Sequence, residues 1–373
     1  MYIYRVIVSL VTVMAFTECE KTSQDIEIDS ILKGEPCTME DGTVGTCLMY
    51  NECQKNKTVD TSGTKIPVYR IGSCSKYLHV CCSILNRDTY LEEKKKGCGW
   101  RNVVSVLNES LTDDVAQFGE FPWTVAILRK ETITLKGEDK IITRYKSGGS
   151  IIHPSVVLTA AHVVSAYQDL LIRAGEWNTQ SIYEPYPHQD RMVDEIVIHP
   201  QYNPKNLFND IALLFLSHPV GYAPNVGVVC LPPQDLRVSE GATCVSTGWG
   251  KNRFGKSGRY QSIMKKVQLP VISNDNCQSA LRKTRLSKHF TLNPRFMCAG
   301  GEAGKDACQG DGGSPLVCRI EPNTDRYMQS GIVAWGIDCG TEVPGVYTNI
   351  SVFRQWVDEN VKRRGYDPSF YTY

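Results

Sequence analysis

Two things are missing from this 373-residue sequence: a charge excess and a membrane-length apolar run. Lys and Arg total 41 against 40 Asp and Glu, a formal net charge of +1. The chain as a whole carries none of the basic surplus that binds nucleic acid through its phosphates, so nucleic acid is not an expected partner. The longest apolar run, residues 6–16, falls short of the ~20 residues that a spanning helix needs. There is no internal repeat. With 42% hydrophobic and 22% charged residues, general disorder and collagen-like repeats are excluded too. What the chain does have is 15 cysteines, a content at odds with a reducing compartment.

The N-terminus agrees with secretion. Arg5 precedes the apolar run and polar residues begin at Thr17, which is the anatomy of a signal peptide over residues 1–19. Cleavage near residues 17–19 removes Cys19 and leaves an even number of cysteines. The expected location is extracellular, without a membrane span.

The cysteines fall into two groups. Cys37, Cys47, Cys53, Cys74, Cys81 and Cys82 crowd into 46 residues with few large apolar side chains, so that segment must be stapled rather than packed. Six cysteines allow 15 pairings, among which spacing does not choose. Residues 83–109 carry the charge run Glu92-Glu93-Lys94-Lys95-Lys96 and read as a solvated linker. From Phe121 onward, short stretches rich in Val, Ile, Leu and Tyr at 124–128, 151–158, 211–216 and 331–335 alternate with turn residues. This spacing predicts an all-β barrel or sandwich of ~250 residues. One helical pattern closes the chain over 352–362, with Phe353, Trp356, Val357 and Val361 on one face.

Three segments carry chemistry. Leu158-Thr159-Ala160-Ala161-His162, then Asn209-Asp210-Ile211-Ala212-Leu213-Leu214, then Asp306-Ala307-Cys308-Gln309-Gly310-Asp311-Gly312-Gly313-Ser314-Pro315 resemble, in order and spacing, the His, Asp and Ser motifs of chymotrypsin-like serine proteases. Gly119-Glu120-Phe121-Pro122-Trp123, Gly248-Trp249-Gly250, Ala334-Trp335-Gly336 and Pro344-Gly345-Val346-Tyr347 support the likeness, which runs over about residues 110–366. It implies a mainly β fold: a chymotrypsin-like double β-barrel with a C-terminal helix and a tail at 367–373. The module at 37–82, ending in Cys81-Cys82, resembles the clip domain of arthropod serine proteases. By that resemblance Cys37 pairs with Cys81, Cys47 with Cys74 and Cys53 with Cys82. Family positions likewise imply Cys98–Cys230, Cys244–Cys318, Cys277–Cys298 and Cys308–Cys339.

The departures from the family decide the function. An acyl-transfer triad needs an oxygen nucleophile, an imidazole base and a carboxylate to orient it. His162 and Asp210 are present, but where the family reads Gly-Asp-Ser-Gly-Gly-Pro this chain reads Gly310-Asp311-Gly312-Gly313-Ser314-Pro315. Gly312 has no atom to attack a carbonyl. Ser314, two residues on, lies up to ~7 Å away along an extended backbone, whereas a working contact to histidine must close to ~3 Å. Where the family has an activating Ile-Val-Gly-Gly-like start, this chain has Ser110-Leu111-Thr112-Asp113 after Glu109, so Asp311 lacks its usual ammonium partner. Ser147 and Val163 replace the cysteine pair that clamps the histidine loop, and Ala334 replaces a serine that supports the aspartate.

Other features of the resemblance survive. Asp306 matches the pocket-floor carboxylate that selects Arg or Lys, and Gly336 and Gly345 match the open pocket walls; the resemblance leaves two readings, a slot that still accepts a basic side chain without cutting it and a relic filled by neighbouring residues. Glu176, with Glu184 and Asp190, is similar to the family's calcium loop, where a hard cation wants several oxygens, the alternative being a solvated acidic loop; no cofactor is required, and Ca2+ is the one candidate ligand. Asn56, Asn108 and Asn349 open glycosylation sequons. The chain is most similar to the non-catalytic clip-domain serine protease homologues of arthropods, the masquerade-like group that includes prophenoloxidase-activating cofactors. That resemblance implies a haemolymph protein acting in melanization and innate immunity, with prophenoloxidase, its activating clip protease and other protease homologues as partners. Three rivals remain: an active protease rearranged onto Ser314, a decoy that suppresses the cascade, and an adhesion protein.

Overall fold

A computed structural model of the chain describes residues 36–38, 44–49, 79–83, 97–102 and 112–373, apart from 136–137, 182–183, 254 and 256. The signal-peptide segment, the linker charge run, and the sequons at Asn56 and Asn108 lie outside the described residues. The chain divides into two units, Met1–Tyr90 and Leu91–Tyr373. In the first, β1 (Pro36–Thr38), β2 (Val44–Met49) and β3 (His79–Ser83) form an antiparallel sheet in the order β1-β2-β3. Cys47 on β2 is buried and disulfide-bonded. The pairings expected for Cys37, Cys53, Cys74, Cys81 and Cys82 rest on side chains outside the described residues.

The second unit holds two closed six-stranded antiparallel barrels. One is built from β4 (Thr124–Leu135), β5 (Glu138–His153), β6 (Val156–Thr159), β7 (Leu170–Ala174), β8 (Gln189–Ile198) and β9 (Ala212–Leu216). The other comprises β10 (Thr243–Gly248), β11 (Lys265–Ile272), β12 (Phe296–Gly300), β13 (Pro315–Arg319), β14 (Tyr327–Trp335) and β15 (Pro344–Asn349). β9 is buried along its whole length between β6 and β8, which is why its sequence is continuously apolar instead of alternating. The apolar-rich stretch at 151–158 is divided between two strands: Pro154 cannot donate to a ladder, and the chain turns there from β5 into β6, the Ser155 N–H donating to His153 Nδ1 at 3.0 Å.

Polar contacts join the barrels at their seam. Thr124 and Thr247 hydroxyls meet at 2.9 Å and the Thr348 hydroxyl donates to the Asp210 carbonyl at 3.0 Å. The disulfides Cys98–Cys230, Cys244–Cys318, Cys277–Cys298 and Cys308–Cys339 are formed. Residues 97–102 are built into the barrel unit: Cys98 is fully buried, Arg101 and Lys266 converge on buried Glu120, and the Asn102 amide donates to two backbone carbonyls.

At the C-terminus, the Asn349 side chain caps a 3₁₀ turn, Ile350–Phe353, that leads into an α-helix, Arg354–Arg363. Phe353, Val357 and Val361 are buried, but Trp356 is only half-buried, its ring 5.2 Å from that of His199. Residues 367–373 are packed: Tyr371 is fully buried, its hydroxyl donates to Asp358 at 2.9 Å, and the Arg354 guanidinium covers its ring.

Candidate functional site

The site forms where the two barrels meet. A four-residue helix, α1 (Ala161–Val164), follows β6 and carries His162, while the loop into β9 delivers Asp210, whose side chain is fully buried. Two non-glycine residues just ahead of it, Leu207 and Asn209, sit at φ of 56° and 58°, a region that L-residues occupy only when their surroundings enforce it. Asp210 accepts from the His162 backbone N–H at 2.8 Å and from ring Nδ1 at 2.6 Å. The imidazole is thereby oriented with Nε2 toward the loop after Cys308.

Gly312 stands opposite that nitrogen. A β-carbon built on Gly312 would lie 2.7 Å from His162 Nε2, 3.2 Å from its Cε1 and 3.2 Å from Val163 Cγ1. Contacts under 3.0 Å are essentially never made by real β-carbons, so the imidazole occupies space that a side chain at 312 would need. Ser314 offers no replacement. It is fully buried, it lies against Gly148 and Gly248, and its hydroxyl makes no hydrogen bond to His162 or to any other described residue.

Asp311 is completely enclosed. Its two oxygens accept from the N–H groups of Gly250 at 2.8 Å and Cys308 at 2.9 Å, and among the described residues no cation pairs with it. Burial pushes this carboxyl up to about 6, the two amides opposing the shift. A side chain at Gly250 would run into the carboxylate, so the Gly248-Trp249-Gly250 stretch makes room for it. Tyr145, which sequence reading passed over, locks the same loop: its hydroxyl donates to the Gly310 carbonyl at 3.0 Å and its ring meets those of Trp249 and Tyr260 edge-on. A lone tyrosine between Arg144 and Lys146 in the middle of β5 gave no signal for this.

The pocket residues come together as well. Asp306 is largely buried, and burial pushes its carboxyl up to about 7 against two backbone N–H groups. A β-carbon on Gly345 would sit 3.3 Å from Asp306 Oδ1 and 3.2 Å from the Tyr347 hydroxyl, whereas one on Gly336 would meet only the Asp338 carbonyl at 3.8 Å. The Tyr347 hydroxyl is buried beside them without a hydrogen-bond partner. Buried polar groups normally find partners, and this one lies close to the Asp306 carboxylate.

Around Glu176 the arrangement differs from the calcium likeness. Glu176, Glu184 and His188 bring ligand atoms within 4.8 Å of one another, but Asp190 is held by Arg173 through both oxygens, at 2.8 and 2.9 Å. Arg173 also reaches Glu176 at 3.3 Å. Glu184 accepts from the Trp177 and Asn178 N–H groups, and burial, with Glu176 beside it, pushes it up to about 7. Calcium takes six to eight oxygens; here one position is an imidazole and a guanidinium already serves the carboxylates. The donor set does not fit calcium. At Asn349 the side-chain oxygen accepts from the N–H and hydroxyl of Ser351 at 3.2 and 2.9 Å.

Comparison with known proteins agrees with this architecture. Residues 112–357 match the family model described as Trypsin. The chain is 55% identical to phenoloxidase-activating factor 2 of Galleria mellonella over 76% of its own length and 94% of that protein. It is 35% identical to the inactive CLIP domain-containing serine protease A28 of Anopheles gambiae, over 99% of this chain and 98% of the relative. Against the inactive CLIP domain-containing serine protease A8 of the same mosquito, identity is 37% over 84% and 85%. With two trypsin-type barrels, a histidine–aspartate pair facing a glycine, and likeness to these relatives over three quarters or more of its length, the chain belongs to the trypsin family, among its clip-domain serine protease homologues.

Proposed function

We propose that this protein is a secreted pseudo-protease that acts as a cofactor in an extracellular proteolytic cascade, the one that activates prophenoloxidase during melanization. The observation that carries the first half is at Gly312: there is no nucleophile, and His162 Nε2 stands 2.7 Å from where a β-carbon would be. Losing the nucleophile costs on the order of a million-fold in turnover in a comparable triad enzyme. The buried, unbonded hydroxyl of Ser314 argues against rescue from two residues away. The second half is supported by the relatives, one named a phenoloxidase-activating factor and two named inactive CLIP-domain proteases. The partners under this reading are prophenoloxidase and the clip protease that cuts it. No cofactor enters, and the calcium likeness around Glu176 is no part of it.

A further element of the reading is that the Asp306 slot grips a basic side chain without cutting beside it. The unpartnered Tyr347 hydroxyl and the open Gly336 wall favour this over a filled relic. The test of the whole proposal is reconstitution: prophenoloxidase and its activating protease, with and without this protein. Faster appearance of phenoloxidase activity supports a cofactor. Suppression would identify a decoy, and phenoloxidase appearing with this protein alone would identify an active protease.

A further inference from the structure

The charges that cancel over the whole chain do not cancel locally. Between Asp275 and Glu302 there is no acidic residue, while Arg282, Lys283, Arg285, Lys288, His289 and Arg295 all fall in that interval. The segment is the helix α2 (Asn274–Arg282) and the loop that leads from it to β12.

The loop is built rigidly. The Cys277–Cys298 disulfide ties α2 to β12. Successive turns are closed by the N–H of Lys283 to Ala280, of Thr284 to Leu281, of Ser287 to Thr284 and of Phe290 to Ser287, each at 3.1 Å. Arg282 Nε donates to the Phe290 carbonyl at 2.8 Å and the Leu292 N–H to the Gln278 side chain at 2.9 Å. The apolar side chains turn inward: Leu281 and Leu292 are buried, and Phe290 lies edge-on to Trp335. The cations are left outside. Lys283, Arg285, Lys288 and His289 are exposed, and among the described residues none of them enters an ion pair.

We propose that this loop is a binding site for a sulfated polysaccharide. An array of unpaired Lys and Arg on a pre-formed loop attracts a polymer of closely spaced anions through release of its counterions, with little ordering cost on the protein side. The composition discriminates among polyanionic partners. Among the described residues the exposed large hydrophobic ones are Trp100, Tyr222, Tyr260 and Tyr373, none of them in this loop. It therefore lacks both the aromatic platform on which nucleic-acid bases stack and the desolvated anchor that a folded protein partner uses.

The test uses the full chain and heparin as probe, with affinity measured at increasing salt. If about four anionic groups are neutralised, affinity falls on the order of a hundredfold between about 50 and 200 mM salt, by counterion-release scaling. The triple variant Lys283→Ser, Arg285→Ser, Lys288→Ser loses at least tenfold in affinity, and desulfated heparin does not bind the original protein. The exposed pair Arg253→Ser, Arg259→Ser serves as a control for loss of cationic charge elsewhere on the surface and retains binding within twofold. An unchanged thermal midpoint shows that the triple variant is folded. The proposal is overturned if the triple variant binds heparin like the original, or if single-stranded DNA of equal charge binds more tightly than heparin.

Discussion

Restoring serine at position 312 would place its β-carbon within 2.7 Å of His162 Nε2 and 3.2 Å of Val163 Cγ1, and the imidazole is not free to withdraw while Asp210 holds it at 2.6 Å. Asp311 also lacks a cationic partner among the described residues, so the loop has no ion pair to hold it in an active form. The Gly312→Ser variant is therefore expected to hydrolyse an arginyl ester no faster than about tenfold over the original protein's background; turnover approaching a working protease would show that only the hydroxyl was missing. A second residue-scale outcome concerns Asp306. Its carboxyl is held near 7 by burial, and an amidinium pairs only with the ionised form. Benzamidine should bind about tenfold more tightly at pH 8 than at pH 6, by proton linkage, and Asp306→Asn should lose both the affinity and its pH dependence; pH-independent binding to the original protein contradicts this. The sign for stability runs the other way: a carboxyl raised above its unfolded value contributes stability in acid that is lost as pH rises through about 7. The identities of His162, Asp210, Gly312 and Asp306 were legible in the sequence because each occupies a fixed place in a motif. The closeness of His162 to position 312, and the Tyr145 and Arg173 contacts, were not, because they depend on how separate loops pack.

Among the elements, the histidine loop between β5 and α1 shows what has been given up. Ser147, fully buried on β5, has a hydroxyl with no hydrogen-bond partner, and Val163 on α1 is buried; both stand where the family carries a crosslink. A buried hydroxyl without a partner costs stability, and a disulfide closing a loop of about 15 residues contributes ~3 kcal/mol. The double variant Ser147→Cys, Val163→Cys should therefore raise stability by about 2 to 3 kcal/mol in denaturant titration, reversed by reductant. No gain, or a free-thiol product, would mean the two positions no longer face each other as in the family. The strand pattern was readable where burial is complete, as in β9, and too coarse at 151–158, where His153, Pro154 and Ser155 divide one apolar-rich stretch between two strands. The C-terminal helix was placed within two residues, but the apolar pattern did not distinguish half-buried Trp356 from buried Val357, since both lie on the face it marks.

For the whole molecule, the cancelled net charge concealed both the cationic loop after α2 and the ion cluster of Arg101, Glu120 and Lys266, since composition sums over positions that the fold separates. The cysteine count and the order of the three motifs carried more, because disulfide spacing and loop order persist through folding. The central claim is that any effect on the cascade comes from surfaces and not from turnover, and a fluorophosphonate inhibitor tests it without altering the fold. Full-length protein treated with the inhibitor and freed of excess reagent is added to prophenoloxidase and its activating protease. The account predicts the same acceleration as with untreated protein and no covalent adduct by mass spectrometry. Loss of the acceleration together with an adduct on any serine of the chain would contradict it.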